Sequence, residues 1–152
     1  ANLNREWQDP DPERSPEVYH VREKMRQTGV DLCLDVHGDE GLPYNFIAGA
    51  QGIPGWTTKR DRLLTDFKRS WQQINPDFQT EHGYPIARKG KANMAICVNH
   101  VSEYFGGLAM TLEMPFKDAA NHPDPEYGWS PERSKKLGAS VLDTVHALFD
   151  RL

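Results

Sequence analysis

Only two cysteines, Cys33 and Cys97, occur in 152 residues. They are too few for a disulfide framework and lack the spacing of metal ligands. Long hydrophobic runs are missing too: stretches such as Phe46–Ala48 fall far short of the roughly 20 apolar residues of a membrane helix. Nor is there a basic excess. The 18 Lys and Arg face 22 Asp and Glu, a net charge of −4, whereas a nucleic-acid surface normally carries surplus cations. The chain opens on Ala1, Asn2, Leu3 and Asn4, with no initiator Met and no basic-then-apolar leader. It therefore reads as processed, or as a piece of something longer. Together these absences point to a soluble protein in a reducing, cytoplasmic setting, with neither nucleic acid nor membrane as partner. What is present is globular: 38% hydrophobic and 26% charged residues in about one domain's length.

Local patterns divide the chain into helices and strands. Ser15, Pro16 and Glu17 supply an N-cap, a first-turn proline and a first-turn acid. Val18, Val21 and Met25 then share one face, so the spacing predicts a helix over 16–28, ended by Gly29. Val30, Leu32, Leu34 and Val36 alternate with Asp31, Cys33 and Asp35, which predicts a strand. A long loop rich in glycine and proline follows over 38–57, and loops of that length are usually functional. From Thr57 or Thr58 a helix of about 17 residues is expected, burying Leu63, Leu64, Phe67, Trp71 and Ile74 and stopped by Asn75 and Pro76. A third helix is expected over 92–105, up to Gly106. Leu108–Met114 is nearly all apolar and reads as a central, buried strand. The last helix, over 131–151, should bury Leu137, Val141, Leu142, Val145, Leu148 and Phe149. Helices alternating with strands imply an α/β fold: a mixed, mostly parallel sheet flanked by helices.

Two polar residues stand out because each sits in or at the end of an apolar strand. His37 follows the 30–36 strand, where ligands of open α/β sheets bind. It suits a metal ligand, a general base, or a half-buried histidine satisfied by backbone. Glu113 interrupts the 108–114 strand. Ionised glutamate is seldom buried without a partner, so it is either a general base in a cleft or half of an ion pair, to Lys117 or an arginine. Near the start, Arg5 follows Asn4, and a guanidinium fork matches a carboxylate bidentately.

Three ordered blocks then resemble a known family: Asn2–Trp7; Asp35–Glu40 with Leu42–Phe46; and Thr111–Asp118. They resemble the zinc metallocarboxypeptidases, more narrowly the cytosolic carboxypeptidase branch and its bacterial relatives. The resemblance implies a Zn²⁺ cofactor and a substrate that is the C-terminus of a peptide or protein. It makes His37 the third zinc ligand and Glu113 the catalytic glutamate that takes a proton from water and passes it to the leaving amine. Asn4 and Arg5 become the pair that grips the substrate's terminal carboxylate.

The chain also departs from that family. The His-x-x-Glu pair that supplies the other two zinc ligands occurs nowhere among the six histidines, and the upstream carbonyl-polarising arginine is missing. Residues 1–152 are therefore expected to be the C-terminal half of the catalytic domain, inactive alone, with a missing N-terminal half supplying the remaining ligands. Tyr84 and Tyr104 are the candidates for the tyrosine that covers substrate, Tyr104 reading more simply as helix core. The cations Arg88, Lys89 and Lys91 suit either a solvated loop tip or a pocket for acidic leaving residues. The alternatives to a carboxypeptidase are a non-catalytic domain binding acidic peptide tails, and a zinc deacylase on the same fold.

Overall fold

The computed structural model describes all residues from Ala1 to Leu152. Four helices, α1 (Pro16–Thr28), α2 (Thr58–Ile74), α3 (Cys97–Phe105) and α4 (Pro131–Leu148), accompany three strands, β1 (Leu32–Asp39), β2 (Phe46–Gly49) and β3 (Leu108–Pro115). The strands form a mixed sheet in the order β1-β3-β2, so the apolar β3 is central, as its composition required. No helix is long and apolar enough to cross a membrane.

The chain divides into two compact units. The first takes Ala1–Asp35, Gly49–Arg60 and Ile86–Met110; the second takes Val36–Ala48, Asp61–Pro85 and Thr111–Leu152. In the first unit Trp7, Val18, Cys97, Val98, Val101 and Ala109 form the core, with Met25, Val30 and Cys33 packed against it. Helix α3 starts five residues later than the spacing predicted. Asn93 Oδ1 accepts the Ala95 N–H (3.0 Å) while Ala95 O accepts the Trp7 N–H (3.1 Å), so that backbone is already engaged outside a helix. Gly106 ends α3 at φ 84°, a left-handed cap that a side chain would strain. Two residues expected in the core are not there: Val21 is 45% and Tyr104 67% exposed.

In the second unit Phe46, Leu64, Phe67, Trp71, Phe78 and Leu137 are nearly inaccessible. Trp71 stacks on Phe78 (4.6 Å between centroids) and meets Phe67 edge-on (6.0 Å). Ile74, expected inside, lies 39% exposed at the end of α2. Leu137 and Leu148 of α4 are buried as expected, but Ser140 and Thr144 share that buried face, and Leu142 and Phe149 are 72% and 71% exposed. Ser140 and Thr144 lie inside because their hydrogen bonds are met. Ser140 Oγ accepts from Trp71 Nε1 (2.7 Å) and Asn75 Nδ2 (3.1 Å) and donates to Leu137 O (2.7 Å), and Thr144 Oγ1 donates to Ser140 O (3.0 Å). Strand β2 falls within the span expected to be loop, and Asn45 just before it makes a parallel bridge to Phe78.

Arg133, in the first turn of α4, fastens the long segment after β3. Its Nε and Nη2 reach the Asp77 carboxylate (3.2 and 2.6 Å), its Nη1 reaches Asp118 Oδ1 and Gly128 O (both 3.1 Å), and Trp129 lies under the guanidinium. His122 Nδ1 also meets Asp77 Oδ1 (2.6 Å). Burial pushes the Asp77 pKa up, but the hydrogen bonds from Arg133 and His122 outweigh it and hold the carboxyl below its ordinary value. A folded pKa below the unfolded one means stability present above about pH 4 and lost as pH falls further. Arg133→Ala should therefore cost about 2–4 kcal/mol at neutral pH, between exposed and fully buried pairs. Urea midpoints of the two proteins should converge below about pH 3; a gap that stays constant with pH would assign the loss to packing.

Candidate active site

Three segments of the second unit build the site: the end of β1, the end of β3 and the loop before Pro85. Along the end of β1, Asp35, His37 and Asp39 are partly buried while the alternate positions Val36 and Gly38 are exposed. The strand continues to Asp39, so His37 lies within it rather than after it. Gly38 has a local cause: a Cβ there would run into the Phe116 ring.

Glu113 is 6% exposed in the central strand, and its Oε1 stands 3.9 Å from His37 Nδ1. That is ion-pair range but too long for a direct hydrogen bond. The carboxylate thus faces an imidazole among the contacts that define the site. Tyr84 completes the group. Burial, then the Glu113 charge, then Asp39 push its phenol pKa up from the ordinary value. The phenol is therefore the protonated neighbour of carboxylates throughout the neutral range.

The Tyr84 loop is held by side chains whose bonds are fully accounted for. Gln79 Oε1 accepts the N–H groups of Glu81 (2.9 Å) and His82 (2.7 Å), while Nε2 donates to Asn45 O (3.2 Å) and His82 O (3.0 Å). His82 stacks on Tyr44 (4.1 Å), and Tyr84 packs edge-on against the buried Phe46 (5.0 Å). The sequence left Tyr84 and Tyr104 as candidates, Tyr104 reading more simply as helix core. The structure brings only Tyr84 to Glu113, and places Tyr104 on an exposed face of α3 in the first unit.

Asn4 and Arg5 lie in a short 3₁₀ turn, Leu3–Arg5, of the first unit. Asn4 Oδ1 accepts the Cys97 N–H (2.8 Å) and so caps α3, whose own N-cap residue Ile96 offers no side-chain acceptor. With the amide oxygen committed to the helix, only the Asn4 NH₂ is left to meet a ligand. Arg5 is exposed, and its Nη1 donates to Asn4 O (2.7 Å). Arg88, Lys89 and Lys91 are all exposed in the same unit.

For a metal ion the chain offers a partial donor set. His37 is a suitable nitrogen donor beside a carboxylate, yet no group of three or more His, Cys, Asp and Glu is placed to hold an ion. The residues present fit one contribution to a zinc site, not a whole one.

With this geometry in hand, comparison with known proteins identifies the class. No family model matches the chain. An uncharacterized protein of Zymomonas mobilis is 47% identical over all 152 residues, which make up 40% of its length. A solved Shewanella denitrificans chain, provisionally named carboxypeptidase A, superposes with a TM-score of 0.97 at 54% identity, over 99% of this chain and 40% of that one. A metallo-carboxypeptidase from Pseudomonas aeruginosa, solved with (2-guanidinoethylmercapto)succinic acid, gives 0.97 at 46% identity with the same coverage. By sequence and fold the chain is metallo-carboxypeptidase-like, and it spans about two fifths of the length of these relatives.

The contact of Tyr84 with the Glu113 charge has a measurable consequence. Glu113→Gln removes that charge and should lower the Tyr84 pKa, followed by the ring carbon shift of labelled tyrosine in NMR titration. An unchanged Tyr84 titration in the variant would separate the two side chains.

Proposed function

We propose that the chain is part of a zinc-dependent metallocarboxypeptidase that removes the C-terminal residue of peptides or proteins. The observation that carries this reading is the pairing of His37 with buried Glu113 at 3.9 Å, in a chain with the fold of metallo-carboxypeptidases and about two fifths of their length. His37 would be one of the residues holding the metal, the others coming from the part of such a protein that this chain does not span. Zinc, when bound, acts as a Lewis acid toward the scissile carbonyl and lowers the pKa of water.

The chain's own residues have separate tasks. Glu113 accepts a proton from the attacking water and returns it to the departing amine, which the closed, partly apolar setting of β3 favours. Tyr84, protonated beside Glu113, donates a hydrogen bond at the reacting centre. Asn4 and Arg5 bind the terminal carboxylate, the NH₂ of one and the guanidinium of the other supplying donors. The succinic-acid compound held by the Pseudomonas aeruginosa relative supports a carboxylate-reading site in proteins of this kind. Arg88, Lys89 and Lys91 extend the proposal to acidic leaving residues, with cations meeting Glu or Asp side chains.

Loss of the general base has a defined size. Glu113→Gln in the active enzyme should lower kcat by about 10²–10⁴-fold with metal content, read by atomic emission, unchanged. Turnover close to the parent protein would return Glu113 to a structural role.

Recognition of the carboxylate is tested separately. Arg5→Ala should weaken peptides with a free C-terminus by about 1.5–3 kcal/mol and leave amidated peptides nearly unaffected. In the same kcat/KM panel, peptides ending in Glu should be cleaved faster than those ending in Leu or Lys. A preference for Leu would remove the acidic specificity while leaving the carboxypeptidase reading intact.

A further inference from the structure

Helix α1 carries Arg22 and Arg26 one turn apart, and α3 carries His100 and Tyr104 at the same spacing. In the first unit these four side chains, with Gln8 and Phe105, line a cleft of about 360 Å³. None of them belongs to the His37–Glu113 group or to the pair assigned to the substrate's terminus. Two like charges at this helical spacing repel, which destabilises a helix unless something negative joins them. Glu23 pairs with Arg26, and Arg22 commits its Nη1 to the carbonyls of Trp7 (2.7 Å) and Gln8 (3.0 Å). Arg22 Nε is nevertheless buried without an acceptor. So is His100 Nδ1 without a partner, in a residue only 5% exposed. Buried polar atoms almost always have partners, and two orphans on residues that line one cleft call for a ligand. We propose that this cleft binds a phosphate group, either free or carried as a monoester by a small organic molecule.

Charge and shape both select phosphate. A carboxylate has two oxygens, which a single guanidinium fork occupies, whereas a tetrahedral phosphate has oxygens enough for both arginines. Burial, and then the charges of Arg22 and Arg26, push the His100 pKa down to about 4. The imidazole is therefore neutral near pH 7, and Nδ1 carries either a proton or a lone pair. A phosphate monoanion meets either case, because it presents both P–O⁻ acceptors and a P–OH donor. Tyr104 stacks on His100 with 4.3 Å between ring centroids and is 67% exposed. A flat organic group on the phosphate thus finds an open ring to lie against. Asp9 and Glu23 are acids whose charges reach Arg22 and oppose an anion, so they moderate the affinity.

The test titrates the whole protein with inorganic phosphate by calorimetry at fixed ionic strength, with acetate and phenyl phosphate as comparison ligands. Phosphate should saturate one site, and acetate over the same range should give no isotherm. Arg26→Gln, at an exposed position, should weaken phosphate about tenfold to a hundredfold through lost charge-assisted bonds. Glu23→Gln releases Arg26 from its ion pair and should strengthen phosphate about twofold to fivefold. The His100 ring signals should move on saturation, in NMR spectra assigned with His100→Asn. Tighter binding of phenyl phosphate than of phosphate would identify an organic monoester as the source; equal or weaker binding would identify free phosphate. A parent protein with no phosphate isotherm, or one that neither substitution moves, would overturn the site. Acetate bound as tightly as phosphate would overturn the choice of ligand.

Discussion

Glu113 sets the terms for its surroundings. A carboxylate 6% exposed on the central strand of a sheet is costly unless neighbours compensate it. The second unit answers with an imidazole at 3.9 Å and a tyrosine whose proton is held more firmly by that same charge. The arrangement is chemically asymmetric: one acceptor of protons is flanked by two groups that donate or bind. Such a group is what acid–base work at a strand end requires.

Keeping those side chains in place falls to polar fasteners rather than to regular structure. Gln79 uses both ends of its amide to fold the 79–82 turn that leads to Tyr84. Ser140 joins Trp71 and Asn75 to α4, and Arg133 gathers Asp77, Asp118 and Gly128. Each is a partly or fully buried polar group with its bonding met, the condition under which such groups add definition instead of cost. Irregular segments can then present side chains with the precision usually reserved for strands.

The first unit uses the same economy in its cap. Helix α3 lacks a capping side chain of its own, and Asn4 supplies the acceptor from 93 positions upstream. One side chain thus serves both as a helix cap and as the proposed donor to the substrate carboxylate.

Patterns that depend on near neighbours were legible before any coordinates. The ends of α1 followed from Ser15, Pro16 and Gly29, the extent of α2 from the Thr57–Thr58 start and the Asn75–Pro76 stop, and the centrality of β3 from its continuous apolar run. His37 and Glu113 could be singled out because polarity in an apolar strand is a local anomaly. What local pattern could not decide were the partners. Hydrophobicity alone finds Val18, Leu137 and Leu148 on the buried faces of α1 and α4 but does not settle the rest of either face. In the fold Ser140 and Thr144 are buried by bonds to residues about 70 positions away or one helical turn back, and Val21, Leu142 and Phe149 are left outside. Strand β2 is only four residues long and gained its identity from pairing, not from periodicity. Tyr84 over Tyr104, the imidazole beside Glu113 and the Asn4 cap all arise from close approach of segments remote in sequence. Residue spacing determines which face a side chain shares, but only tertiary packing decides what stands opposite it.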